Sequence, residues 1–223
     1  MSKLNKAVLG NIQGKVGNVV GRKFRNEYVV AAYQPRVRNP RTMAQQLIRA
    51  RLGAASTLSN NMAVAINRGL RNAAKGSKWS PRNLFVKLNF DRIHAASPGS
   101  VSIDYTTLVL AQGSLSTPIY GAPIFDNPNQ VAMSYNFDGV PGGHANYEIE
   151  TVLYNPDLGL TIMKATAPQN ASGNIVVDCP ASWNGMKVHI WCWVKYRGEN
   201  DVESALYTYA TSASSYCGSG NIS

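Results

Sequence analysis

The residues of this sequence that most often bind metals or carry catalysis are its three histidines and three cysteines. His94, His144 and His189 are far apart and fall in different predicted elements. His189 and Cys192 are three residues apart on a predicted strand, so their side chains point to opposite faces and cannot share a metal ion. The cysteines form no C-x-x-C pair and are too few for a disulfide framework. We therefore expect reduced structural thiols and no metal site.

Two carboxylates on one predicted strand are the remaining candidates for chemistry. Glu148 and Glu150 share a strand face, and paired carboxylates can serve as general acid and base. On an exposed sheet, acids at this spacing are more typical of a solvated polar face. The sequence also contains neither G-x-S-x-G nor H-E-x-x-H. We predict that the protein is not an enzyme and takes no cofactor and no small-molecule substrate.

A glycine-rich basic stretch, GNIQGKVGNVVGRKFR at residues 10–25, invites comparison with a phosphate-binding loop. That loop needs G-x-x-x-x-G-K-[ST], whose backbone amides surround the phosphates and whose hydroxyl holds Mg²⁺. Here only three residues separate Gly10 from Gly14, and Val16 stands where the hydroxyl is needed. The stretch is more typical of a glycine-containing strand or hairpin.

The elements that follow from the N-terminal pattern are extended. The runs VGNVVGRKF and EYVVAAY are rich in β-branched and aromatic residues and predict a β-hairpin or two extended arms. Gly17 and Gly21 permit a sharp twist, a bulge or a close backbone approach. Such a ribbon has little core of its own and must lie on something else. We predict a basic glycine-rich arm or hairpin over residues 1–38.

The next region, residues 39–98, has helical periodicity. Asn39 can cap a first helix that begins at Pro40, and Ser80 can cap another that begins at Pro81. A further helix is predicted around residues 63–70. The first helix has an apolar stripe at helical spacing, made of Met43, Leu47, Ile48, Ala50, Leu52 and Ala54. We predict a helical connector.

The composition from residue 99 onward is typical of an all-β domain. Seven short strand candidates, separated by Gly, Pro, Asn and Asp, predict an immunoglobulin-like β-sandwich over residues 99–213. The small polar residues 214–223 are expected to form a flexible tail. The fold class predicted for the whole chain is α+β.

The strand KVHIWCWVKY predicts which side chains face the core of this sandwich. Alternation puts four side chains on one face, assigned to the core: Val188, Ile190, Cys192 and Val194. Trp191 and Trp193 fall on the other face. We predict that these two indoles, together with Glu148 and Glu150, are available to a neighbouring protein.

Charge is divided unevenly along the chain. Residues 1–99 carry 18 Lys and Arg against two acids, whereas residues 100–223 carry four against ten. This asymmetry indicates that the first half faces a polyanion or an acidic protein surface, the alternative being a solvated surface with no fixed partner. The candidate contacts to a partner or to DNA are Lys15, Arg22, Lys23, Arg25, Arg36, Arg38 and Arg41. No apolar run is long enough for a membrane span, and no signal-peptide core is present, so no membrane contact is expected.

Several motifs resemble those of one family. They are G-K-V-G-N-V-V at residues 14–20, N-P-R-T at 39–42, A-Q-Q at 44–46, VKLN at 86–89 and DYTTLVLAQGSL at 104–115. Together they resemble an uncharacterised family from Bacteroidota and their tailed phages, including crAss-like phages. The resemblance covers nearly the whole chain and is weaker toward the C-terminus. It implies no catalytic residues and a structural role, because some members look like virion components near the head-to-tail connector or tail.

Residue patterns and resemblance together predict a structural subunit of a tailed-phage virion. We expect a ring-forming component of the head-to-tail connector or tail, assembled in the cytoplasm of the bacterial host. Its partners would be copies of itself, neighbouring virion proteins and packaged DNA. The main alternative is a non-catalytic nucleic-acid-binding protein that uses the basic half. A cell-envelope binding module is disfavoured by the missing signal peptide.

Overall fold

A computed structural model describes residues 2–3, 13–24, 27–35, 41–75, 77–140, 145, 147–196 and 214–222. The chain divides into two compact units, residues 1–42 and residues 43–223, called here the N-terminal unit and the main unit. Residues 43–98 of the predicted helical connector and the predicted β domain therefore lie within a single compact unit, whereas residues 39–42 belong to the N-terminal unit.

The N-terminal unit contains an antiparallel sheet with the strand order β1-β4-β3-β2. The strands are β1 Ser2–Lys3, β2 Gly14–Val16, β3 Val19–Phe24 and β4 Glu27–Ala32. β3 pairs with β4 along its whole length, as expected for a hairpin. Gly17 has a φ of +59° at the first position of the two-residue turn between β2 and β3, where a type II′ turn favours glycine.

This sheet buries little apolar surface. Among the hydrophobic side chains that the structure describes in the N-terminal unit, Val29 alone is buried, at 7% exposure. Val16, Val19 and Tyr33 are exposed. A sheet without a packed face is marginally stable in water, so its strands need further contacts to stay ordered.

Four helices open the main unit: α1 Met43–Asn61, α2 Ala63–Gly69, α3 Arg71–Ala74 and α4 Pro81–Asn89. The predicted start of α4 is confirmed. The Ser80 hydroxyl accepts a hydrogen bond from the Asn83 backbone N–H at 3.2 Å, and Pro81 takes the first helical position. The second predicted helix corresponds to α2. Asn39 and Pro40, predicted to begin the first helix, lie outside the described residues.

The strands of the main unit follow the helices. They are β5 Ile93–Ser97, β6 Ser100–Ile103, β7 Ile119–Tyr120, β8 Gln130–Asn136, β9 Tyr147–Asn155, β10 Leu160–Thr166, β11 Ser172–Asp178, β12 Lys187–Tyr196 and β13 Ser215–Asn221. β5 and β6 form a hairpin. The other strands form a four-stranded sheet, β10-β9-β12-β13, and a three-stranded sheet, β11-β8-β7.

Two predicted boundaries differ from this arrangement. Pro98 and Gly99, expected to separate two regions, form the turn between β5 and β6. The predicted flexible tail contains β13, which pairs with β12. Its small residues make this pairing possible, because a Cβ on Gly220 would lie 2.3 Å from the Phe125 ring. The seventh predicted strand, residues 202–212, lies outside the described residues.

The main unit is built in three layers. One core lies between the two sheets and includes Val188, Ile190 and Val194 of β12, whose core-facing assignment is confirmed. A second core lies between the four-stranded sheet and the helices, and includes Leu58, Ile66 and Phe85 of the helices. The fold is thus α+β with mainly antiparallel sheets, as predicted, and the helices cover one face of the four-stranded sheet.

The apolar stripe predicted on α1 is only partly buried. Met43, Ile48 and Leu52 each expose more than half of their surface. Burial begins at Ala55 and Leu58, where α1 joins the second core. The helical period was therefore predicted correctly, but the first half of the stripe lies on the surface.

Asn89 ties the helices to the segment that precedes the sheets. Its amide nitrogen donates to the carbonyl oxygens of Phe85 and Val109 at 2.9 Å each, and its side-chain oxygen accepts from the Val109 N–H at 2.7 Å. Asn89 ends the VKLN motif, and Val109 lies within DYTTLVLAQGSL. These two motifs are thus joined through the side chain of a fully buried asparagine.

Candidate interaction sites

The basic residues predicted in the N-terminal unit lie on both faces of its sheet. Lys15 and Arg22 share one face, because Lys15 pairs with Val20, two residues from Arg22 on β3. Lys23 lies on the opposite face. The Lys15 ammonium lies 3.7 Å from the centre of the Tyr33 ring, a cation–π contact. The sheet therefore presents positive charge on both sides.

The other predicted basic contacts are only partly described. Arg41 is exposed at the end of the N-terminal unit. Arg25, Arg36 and Arg38 lie outside the described residues.

Trp191 and Trp193 are not available to a neighbour, which corrects the prediction for these two residues. Both are 0% exposed and belong to the core between the four-stranded sheet and the helices. Alternation assigned them correctly to the face opposite Ile190. That face is covered by helices of the same chain, so the hydrophobic effect buries both indoles within the main unit.

Glu148 and Glu150 are also buried, and their prediction as an exposed acidic face is wrong. Glu150 is 1% exposed. Its Oε2 accepts a hydrogen bond from Trp193 Nε1 at 2.7 Å, and its Oε1 lies 3.3 Å from Arg68 Nε, close enough for an ion pair but without hydrogen-bond alignment. Glu148 lies 3.9 Å from the Lys195 ammonium. A buried carboxylate requires such partners, since an unpaired one is costly.

The surroundings of Glu150 change its acidity. Burial raises the pKa of its carboxyl group above the ordinary value, and Arg68 and Trp193 oppose that rise. Arg68 belongs to α2 and Glu150 to β9, so a positive charge of the helical region pairs with an acid of the four-stranded sheet in the same chain. Intrachain pairing thus removes these acids from the surface that a second subunit could contact.

His189 lies in an aromatic cluster rather than in a catalytic arrangement. Its Nδ1 lies 2.9 Å from the Tyr216 hydroxyl, and its ring stacks on Tyr105 at 4.2 Å between centroids. Burial, and secondarily Lys187, lower the pKa of His189 to about 4. The ring is therefore neutral at pH 7. His94 is exposed on β5, and His144 lies outside the described residues.

Neither a metal cluster nor a membrane span is found in the described part of the chain. No three of its His, Cys, Asp or Glu side chains come together as a metal site would require. None of its helices is long and apolar enough to cross a bilayer.

An open groove between α1 and α4 was missed by sequence reasoning. It has a volume of about 510 Å³ and is lined by Leu52, Ser56, Trp79, Arg82, Asn83, Val86 and Lys87. Trp79 is 46% exposed, and the Lys87 ammonium lies 5.4 Å from the centre of its ring. Arg82 is held by Ser56 Oγ at 2.7 Å and Ser59 Oγ at 3.0 Å. The groove combines an apolar floor with a basic rim.

The chain matches a known protein-family model. A model for a family of unknown function, DUF6266, matches residues 11–209. This range includes the sheet of the N-terminal unit from β2 onward and the main unit as far as β12. No curated protein matches the chain.

Proposed function

We propose that this chain, which belongs to the DUF6266 family, is a structural subunit that acts by assembling with copies of itself. In this proposal it is a ring-forming component of the head-to-tail connector or tail of a tailed phage, and it is located in the virion. It works without catalysis and without a cofactor.

The observation that carries this proposal is the poor burial of the N-terminal unit. Among the side chains that the structure describes in its strands, Val29 is the single buried hydrophobic one, and Lys15, Arg22 and Lys23 lie on two faces. A small sheet of this kind gains stability when a second surface covers it. We propose that the unit is the basic arm that contacts neighbouring subunits.

The strand order supports an immunoglobulin-like arrangement of the two sheets. If the strands from β7 to β13 are lettered A to G, the sheets read A-B-E and D-C-F-G. Constant-type immunoglobulin domains have the sheets A-B-E-D and C-F-G, so the difference is confined to the fourth strand. We propose an immunoglobulin-like sandwich, a fold common among proteins that act through their surfaces.

The charge of the helical region favours nucleic acid as a second candidate partner. Residues 41–92 contain ten Lys and Arg against the single acid Asp91. Such a surface attracts phosphates and makes binding strongly dependent on salt. In the virion this would be contact with packaged DNA.

A salt titration of the full-length protein separates the two partners. The variant changes Arg22, Lys23 and Arg25 to Gln, and a matched control changes Arg71, Lys75 and Lys78 of the main unit to Gln. We expect the wild type and the control to form large homo-oligomers whose size falls with salt, and the variant to stay small. The measurement is light scattering after size-exclusion chromatography, with DNA binding followed in parallel.

Two results would contradict the proposal. One is a wild-type protein that remains monomeric at every concentration tested. The other is a variant that assembles normally but binds DNA more weakly, with a log–log salt dependence shallower by about 0.9 for each phosphate that it no longer neutralises. The second result would establish nucleic-acid binding as the use of the N-terminal charge.

A further inference from the structure

We propose that the groove between α1 and α4 of one copy binds the outer face of the three-stranded sheet of a second copy, head to tail. This inference rests on the proposed function, because it names a second contact, besides that of the N-terminal unit, through which the copies assemble.

The groove offers an apolar floor. Leu52 is 51% exposed and lies beside Trp79 and Val86. Ile48, one helical turn before Leu52, extends the exposed apolar surface along α1. Burying an exposed tryptophan and two aliphatic side chains is a strong driving force for association, and tryptophan is enriched at the centres of interfaces.

The outer face of the three-stranded sheet offers a matching apolar row. Val176 on β11 is paired with Ala132 on β8, and Ala132 also forms a bridge with Ile124. Ile124 is 53% exposed and Val176 is 38% exposed. Ile119 adds a further exposed aliphatic side chain, on β7.

Acids flank this row. Asp178 neighbours it on β11 and accepts a hydrogen bond from the Gln130 amide at 2.9 Å. Asp138 follows β8 and accepts from the Asn136 amide at 2.9 Å. Both carboxylates are therefore fixed in position at the sheet while remaining exposed.

The two surfaces are opposite in charge. The rim of the groove carries Arg82 and Lys87 and no acid. Residues 117–140 and 169–180, which contain the three-stranded sheet, include three acids and no Lys or Arg. Lys164 of β10 approaches this sheet, but its ammonium donates to the Val176 carbonyl at 2.6 Å. A basic-rimmed apolar groove and an acid-flanked apolar row are complementary, which favours a specific encounter.

The layer order makes this contact directional. The helices cover one face of the four-stranded sheet, and the three-stranded sheet covers the other. The groove and the acid-flanked row therefore lie on the two outer layers of the same unit. A copy that uses its groove leaves its sheet face free for the next copy. Such heterologous contacts produce a closed ring or an open filament rather than a symmetric dimer.

The test uses variants of the full-length protein that each lack one surface. The groove variant carries Trp79→Ser and Lys87→Glu, and the sheet variant carries Ile124→Ser and Asp178→Lys. Matched controls are Lys75→Glu, in the same helical layer but outside the groove, and Asp157→Lys, in the turn between β9 and β10. Circular dichroism verifies folding, and light scattering measures size.

The wild type and both controls are expected to form large assemblies, whereas each surface variant alone loses at least tenfold in assembly affinity. In an equimolar mixture, the intact groove of the sheet variant can bind the intact sheet face of the groove variant. The mixture should therefore form a one-to-one dimer and nothing larger, because the other surface of each variant is altered. Trp79 of the sheet variant should then become protected from acrylamide quenching.

Several results would overturn the inference. If the wild type assembles and the groove variant assembles equally well, the head-to-tail contact is wrong while the proposed function stands. The same holds if the mixed variants form no dimer although both are folded. If either double variant misfolds, the two double variants are replaced by the single variants Lys87→Glu and Asp178→Lys. If a mixture of these two single variants does not assemble, the contact is refuted. A monomeric wild type would overturn both proposals.

Discussion

Acid should destabilise the main unit through His189, and the size of this effect can be worked out from its surroundings. The ring is 7% exposed, stacked on Tyr105, and its pKa is lowered to about 4, while in the unfolded chain it titrates near its ordinary value of 6.5. Between these values the unfolded state binds more protons than the folded state. The free energy of unfolding therefore falls as the pH drops below 6.5, and the loss is complete below about pH 4.

The expected loss follows from linkage. With these two pKa values, lowering the pH from about 7 to about 5 costs roughly 2 kcal/mol, and reaching about pH 4 costs roughly 3 kcal/mol. Glu150 acts in the opposite sense, because its raised pKa makes the folded state the better proton acceptor as the pH falls. A single pH profile of the wild type would therefore mix two contributions of opposite sign.

The variant His189→Gln separates them, because glutamine can still bond to the Tyr216 hydroxyl but does not titrate. Urea unfolding of both proteins is followed by tryptophan emission, since all four tryptophans lie in the main unit. The difference in unfolding free energy between wild type and variant should shrink by about 2 kcal/mol from about pH 7 to about pH 5, with Glu150 cancelling. A difference that stays constant over this range would refute the reasoning.

Three further predictions concern the contacts between layers. Gly69→Ala should lower the free energy of unfolding in urea by about 1–3 kcal/mol, because its Cβ would lie 2.4 Å from the Leu110 carbonyl oxygen. Gly53→Ala should raise it by about 0.5–1 kcal/mol, because nothing lies within 4 Å of the added Cβ. Equal effects of the two changes would contradict this prediction. Asn89→Ala should cost about 3 kcal/mol by leaving buried backbone groups unpaired, and a near-neutral melt would contradict the role of Asn89. Arg68→Met should destabilise more at high pH than near the ordinary pKa of Glu150, because ionised Glu150 loses its partner; a loss of stability independent of pH would contradict the ion pair.

Local signals in the sequence were enough to predict much of the fold. Ser80 and Pro81 marked the start of α4, and alternation placed Ile190 and Trp191 on opposite faces of β12. The burial of both faces could not be predicted, because alternation says nothing about what covers a face. Glu150 suggested an exposed strand, and only the three-dimensional fold brings Arg68 near enough to neutralise it.

The interaction sites were harder to predict for the same reason. The groove depends on how α1 packs beside α4, and the apolar stripe predicted on α1 does not show which part of its length is covered. Leu52 is exposed because this part of α1 extends beyond the second core. How far a helix extends beyond a core depends on packing and not on its own sequence pattern. The basic residues were found from composition alone, but composition does not distinguish Arg68, which is paired inside the chain, from Lys87, which lines the groove.

The contacts of Asn89 and Glu150 place different constraints on how sequences in this family can diverge. Asn89 bonds only to backbone atoms, so this contact constrains position 89 to asparagine, whereas at position 109 it excludes only proline, which lacks the N–H that Asn89 accepts from. Glu150 is held by two side chains, Trp193 and Arg68, so a change at any one of these positions favours compensation at the others. Evolutionary divergence should therefore leave position 89 invariant and without covariation, and make positions 68, 150 and 193 covary.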